Sequence, residues 1–228
     1  MKLATSLCFL ALLLVLTPLA HADGTTTMQF TGVNGANDGY YYVSPYTGTM
    51  NYGTSNAQTV GLFCDDINND VSIGQVWTAN VTSLASGDLS NTRYGSSANP
   101  NYSNPTAALM LYEQGAWLVS QFGSHPSDYV SLQYALWDLM SPGAEPTNYA
   151  GSDGIKVSQW LTWAAANYNQ INPANFEIIT NVGTLTYRGQ VQEFIVQTPE
   201  PATVVLLLFG IGAMFLLALK RQGQQVAA

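Results

Sequence analysis

The chain has 228 residues and a formal net charge of −8, and only 9% of its side chains are charged. All 14 acidic side chains fall between Asp23 and Glu200, where the only basic ones are Arg93, Lys156 and Arg188, so this stretch carries −11. That sign excludes nucleic acid and anionic lipid as partners, which need clustered Lys and Arg, and the abundance of Asn, Ser, Thr, Gly and Tyr favours strands and polar turns over long exposed helices.

Residues 1–22 combine a basic Lys2, an apolar core from Leu7 to Leu16 and the small-x-small sequence Ala20-His21-Ala22. Together these predict a secretory signal peptide cleaved after Ala22. Its removal takes Cys8 and leaves Cys64 without a disulfide partner in an oxidising compartment. Such a thiol calls for an intermolecular bridge, a reactive group or burial.

Residues 23–197 are expected to form one ectodomain, β over 25–103, helical over 104–170 and β again over 175–197. Met28, Phe30 and Val33, then Tyr40 to Val43, Met50 to Tyr52, Val60 to Cys64 and Val71 to Val81 have strand character, and Asp65 to Asp70 forms a polar turn between the last two. Tyr94 to Asn104 is a Ser-, Asn- and Pro-rich loop. Asn104-Pro105 is an N-cap and first-turn pair, after which Ala108, Leu111, Gly115, Leu118 and Phe122 recur at helical spacing up to Gly123. A second helix is predicted from Pro126 to Met140 and a third from Gly154 to Tyr168. Phe176 to Thr180, Leu185 to Tyr187 and Gln190 to Val196 close the domain as strands. The expected fold class is α+β, a β-sandwich or barrel-like domain with a helical insertion, plus one C-terminal transmembrane helix.

In the second helix Gln133 lies on the face that Leu132, Leu136 and Trp137 would bury. A buried amide without partners costs about 1 to 3 kcal/mol, so Gln133 is either hydrogen-bonded or chemically used. Phe63-Cys64-Asp65-Asp66 and Leu132-Gln133-Tyr134-Ala135-Leu136-Trp137 resemble the two signature motifs of bacterial Cys-Gln thioester domains of the TQXA type, found in surface adhesins. The resemblance implies a cysteine on the β part and a glutamine on a helix, condensed to a thioester between Cys64 and Gln133, with Phe63 and Trp137 supporting it. It implies covalent attachment to a surface amine or hydroxyl, exopolysaccharide being one source. The alternative is a non-reactive structural or carbohydrate-binding envelope or biofilm module of the same fold.

Asp66-x-Asn68-x-Asp70 imitates the start of a calcium loop, but Val71 and Trp77 stand where that loop needs glycine and glutamate. A polar hairpin turn accounts for it better, and neither a metal site nor a cofactor is expected. Cys64 with His125 lacks any oxyanion-hole signature, and no enzymatic activity is expected. Trp117 and Trp137 sit within apolar helical faces and are expected in the core, whereas Tyr40, Tyr41, Tyr42 and Tyr46 are candidates for an exposed surface where sugars stack.

Residues 198–221 hold Pro199-Glu200-Pro201, the 18 uncharged residues 202–219, and then Lys220 and Arg221. An apolar run of this length predicts a transmembrane helix with Lys220 and Arg221 as stop-transfer and 222–228 as a cytoplasmic tail. The order of tripeptide, helix and basic pair resembles the PEP-CTERM sorting signal of Gram-negative bacteria. It implies an exosortase-type transpeptidase as partner, a precursor anchored in the inner membrane by the C-terminal helix, and delivery to the envelope or extracellular matrix.

Overall fold

Alternation of apolar and polar side chains builds the first strand, β1 (Gly24–Val33), in which Thr26, Met28 and Phe30 are buried and the residues between them less so. In the computed structural model, residues 23–33, 37–99, 102–143, 152–183 and 191–198 are described, together with Gly212. Next along the chain are β2 (Tyr46–Met50), β3 (Gln58–Cys64) and β4 (Val76–Ser83), then α1 (Pro105–Gln121), α2 (Tyr129–Met140) and α3 (Ser152–Asn167), and finally β5 (Phe176–Asn181) and β6 (Phe194–Gln197). The strands form a closed barrel in the order β1-β2-β3-β6-β5-β4. Every adjacent pair is antiparallel.

Rings fill the barrel. Phe30 of β1 stacks on Phe194 of β6 at 6.2 Å between centroids, although these strands lie opposite each other in the closed order. Tyr46 and Trp77 complete the cluster, at 6.4 and 6.2 Å from Phe194. A lumen this narrow is a packed core, and each fully buried large side chain in it contributes about 1.5 to 3 kcal/mol.

The helices enter between β4 and β5. Asn104 caps α1 by accepting from the Ala107 N–H at 2.9 Å, with Pro105 in the first turn, as its sequence predicts. Gly115 lets α1 approach β6 and α2 closely, because a Cβ there would meet Ile195, Leu136 and Met140 at 3.1 to 3.2 Å. The buried face of α2 includes Leu132, Gln133, Leu136, Trp137 and Met140. Trp160 joins α3 to α1 through Trp117, at 6.2 Å.

Several expectations are corrected. Tyr40 to Val43 is not a strand; an isolated bridge between Asn37 and Tyr42 and the Asp38 side chain shape it into a loop. The strand expected from Val71 begins only at Val76, because Ser72 and Gln75 bond each other in a turn. The turn after Cys64 is not a solvated one, since Asp65, Asp66 and Asn69 are buried. The first residues of the predicted second helix, Pro126–Asp128, form a separate 3-10 turn. Leu185 to Tyr187 lies outside the described residues.

The transmembrane helix at 202–219 is also corrected. No helix among the described residues is long and apolar enough to cross a membrane, and of that stretch only Gly212 is described. The described residues accordingly form a β-barrel with helical insertions, none of which is a membrane helix. Membrane anchoring through a C-terminal helix and an inner-membrane-anchored precursor are withdrawn with it, since both required that helix. Ala20, Ala22, Pro199, Glu200, Pro201, Lys220, Arg221 and the tail 222–228 lie outside the described residues.

Candidate functional site

Cys64 is the last residue of β3 and shares the inward parity of Leu62, so its side chain is fully buried. It pairs with Phe194 of β6, and the Asp65 N–H reaches the Glu193 carbonyl at 3.4 Å. Its own N–H donates to Ser44 Oγ at 2.9 Å. These contacts fix the backbone on which the thiol stands.

Gln133 reaches this point from α2, across 69 residues of sequence. Its Nε2 donates to the Cys64 carbonyl at 2.6 Å, and its Oε1 accepts the Ser44 N–H at 3.1 Å. The amide is thus fully buried and bonded at both ends, which meets the cost set out for an apolar face. One helical turn later Trp137 points its Nε1–H at Cys64 Sγ, 3.4 Å away. The thiol itself donates to the Asp66 carbonyl at 3.3 Å. Burial pushes the Cys64 thiol far up; the Trp137 hydrogen bond is the main opposing effect, followed by a rise from Asp65, a lowering from Arg93 and a rise from Asp70. The group is therefore a neutral thiol.

Phe63 is not part of this arrangement. Adjacent strand residues face opposite ways, and its ring packs on Phe122 beyond the end of α1 at 5.0 Å. His125 lies edge-on to Trp160 at 5.1 Å, with Nδ1 on the Gln121 carbonyl at 3.1 Å.

Sequence reasoning missed Ser44 and a charged cluster beside Cys64. Arg93 is fully buried and pairs with Asp66, while its other terminal nitrogen donates to the Val191 carbonyl at 2.8 Å. Asn68 N–H and Asn69 Nδ2 donate to Asp66 at 3.0 and 2.7 Å. Glu193, also fully buried, accepts from the Arg93 N–H at 2.7 Å, from Tyr112 and from Thr180. Asp65 completes the group without a hydrogen-bond partner for either carboxyl oxygen among the described residues. Burial and then the Glu193 charge raise its pKa well above the usual carboxylate range, against Arg93. The signal in the sequence was Arg93 itself, the one cation in the polar stretch 87–104.

Comparison with known proteins adds two findings. Residues 197–222 match the PEP-CTERM protein-sorting motif. Among solved structures, the N-terminal thioester domain of a surface protein from Clostridium perfringens bears a weak likeness, with a TM-score of 0.45 and 9% identity over 77% of this chain and 99% of that one. No curated protein sequence matches. The chain thus carries a sorting motif in its tail, and its ectodomain is an α+β barrel.

Proposed function

We propose that this protein is exported to the cell envelope through its sorting motif, with an exosortase-type transpeptidase acting on the tail, and that it binds a partner surface covalently through Cys64 and Gln133. The observation that carries the reading is the Ser44 N–H aimed at Gln133 Oε1, at 3.1 Å, while the same amide rests against Cys64. A fixed donor at a carbonyl oxygen stabilises the negative charge that develops there when the carbon is attacked, and dry surroundings strengthen it.

The chemistry has two steps. Cys64 sulfur adds to the Gln133 side-chain carbon; the S–C bond forms, the C–N bond breaks, and the amide nitrogen leaves as ammonia carrying the thiol proton. A primary amine or hydroxyl of the partner then attacks the same carbon. The new C–N or C–O bond forms as the S–C bond breaks, and the proton of the nucleophile restores the Cys64 thiol. Trp137 supports the second step, since its indole N–H faces the departing sulfur. Burial raises the thiol pKa, which disfavours the thiolate in both steps, while the same exclusion of water protects the bond once it is made. Each molecule reacts once, so the protein is not an enzyme.

The intact mass of the purified protein tests this. A chain one ammonia lighter than its sequence, which gains methylamine at Gln133 on treatment with that amine, is the expected result. An unmodified Gln133 together with a Cys64 thiol that alkylates at once on denaturation overturns it. The second reading, an inert barrel in which Gln133 ties helix to sheet, is favoured by the two-ended bonding of the amide and becomes the working one in that event.

A further inference from the structure

Beside Trp137 the domain opens into a cavity of about 320 Å³, at the lower end of the roughly 300 to 1,000 Å³ of small-molecule sites. Tyr40, Tyr41, Tyr42 and Trp137 contribute its aromatic wall. The three consecutive tyrosines are 74%, 42% and 58% exposed, where water is a poor environment for their rings. Their loop is nevertheless held in place. Asp38 Oδ1 accepts the N–H groups of Tyr40 and Tyr41 at 2.8 and 2.7 Å, and its other oxygen accepts the Tyr134 hydroxyl from α2. Gly39 supplies the turn at φ 97°, a conformation that other residues adopt only with strain. The Tyr41 ring meets the edge of Trp137 at 6.1 Å. The rings are therefore arranged before any ligand arrives.

The rest of the lining sets the class of ligand. Besides the tyrosine hydroxyls its polar side chains are Asp70 and Gln192, and no basic residue is among the described residues that line it. Of the cations in the described ectodomain, Arg93 is committed to Asp66 and Lys156 to Asp128. Among the described residues, an anionic ligand would meet only acidic and neutral groups. A quaternary or protonated amine prefers a cage of aromatic faces, whereas Ile67, Val71 and Ile73 make part of this wall aliphatic, a costly setting for a charge. A pyranose ring has what remains: an apolar C–H face for a tyrosine or indole, and hydroxyls around its edge. Asp70 accepts from such hydroxyls, and the Gln192 amide both donates and accepts.

We infer that this pocket binds one or two rings of a neutral polysaccharide, reversibly and without any contribution from the thioester. Tyr41 and its neighbours stack on the sugar, and Asp70 and Gln192 orient it.

Calorimetric titration of the full chain tests the proposal, with cellohexaose and dextran as neutral probes, alginate as a polyanion and tetramethylammonium as a cation. Saturable binding of a neutral glycan that dilution reverses is expected. Tyr41→Ala should weaken it about tenfold, the value of one aromatic contact at 1 to 1.5 kcal/mol, and Asp70→Asn should weaken it by a smaller factor. Tyr52→Ala, an exposed tyrosine that does not line the pocket, should leave it unchanged. An unaltered thermal transition in each variant shows that the fold is kept. The proposal is overturned if neither neutral glycan binds at about 10 mM, a concentration weaker than any useful affinity. It is equally overturned if Tyr41→Ala binds as well as the parent protein, or if alginate or tetramethylammonium binds where the glycans do not. Because the binding is reversible and read without mass change, its failure is separate from failure of the covalent reading.

Discussion

Cys64 stands between two surroundings of opposite character. On the barrel side lie Asp66, Arg93 and Glu193, fully buried and bonded to one another through side chains and backbone. On the helix side lies Trp137, and past it an open pocket lined by exposed tyrosines. Charges taken out of water must be paired within the fold, which Asp66, Arg93 and Glu193 achieve although Asp65 and Arg93 Nε find no hydrogen-bond partner among the described residues. Exposed rings need no partner, and they are free to take one from outside. One side fixes the backbone of the thiol, and the other, beyond Trp137, opens to solvent.

Breaking the buried side has the largest effect. Arg93→Ala strands Asp66 and lowers stability by about 3 to 5 kcal/mol, a drop in Tm of roughly 6 to 20 °C for a domain of this size, read by calorimetry of the full chain. Gln133→Ala comes next. It leaves the Ser44 N–H and Cys64 carbonyl unpaired at a cost of about 1 to 3 kcal/mol, and it abolishes any methylamine adduct in the mass spectrum.

Tyr134→Phe acts on the open side and removes one donor from the Asp38 carboxylate. About 1 to 2 kcal/mol of local stability is lost, seen as faster hydrogen exchange at Tyr40 and Tyr41 rather than as a change in Tm. The smallest effect is a pH dependence of the same loop. Burial works against ionisation of Asp38, but the hydrogen bonds from Tyr134, Tyr41 and Tyr40 outweigh it and hold its pKa below the usual value. A depressed pKa means that the stabilisation is present above the unfolded value of about 3.9 and is lost as pH falls through the folded one. Exchange at Tyr40 and Tyr41 should thus stay slow down to about pH 4 and quicken below it. Quickening at pH 5 to 6 would show that Asp38 does not hold the loop.

Periodicity carried most of the fold. The cap at Asn104-Pro105, the buried face of α2 and the closing strands at Phe176 and Phe194 all follow from local spacing, because the residues that decide them are neighbours in sequence. The position of Gln133 on that face was legible for the same reason. Ser44, Arg93 and Glu193 were not, since each acquires its role from partners 89, 27 and 127 residues away. A polar run such as Asp65 to Asn69 looks solvated until an arginine from a later loop is placed against it. The membrane helix expected from the length and apolarity of 202–219 and from Lys220 and Arg221 is the contrary case, since no helix among the described residues has that length and hydropathy.

Strand β6 also has a mechanical consequence. Its last residue, Gln197, pairs with Phe176, and the Thr198 N–H is pinned to the Asn175 carbonyl at 2.8 Å, whereas Phe194 at its other end faces Cys64. Tension applied to the chain at Thr198 loads the ladder first at Gln197 and Thr198, where β5 resists it. The Cys64 end of the strand is the last to feel the pull, so the candidate bond sits at the sheltered end of the force path.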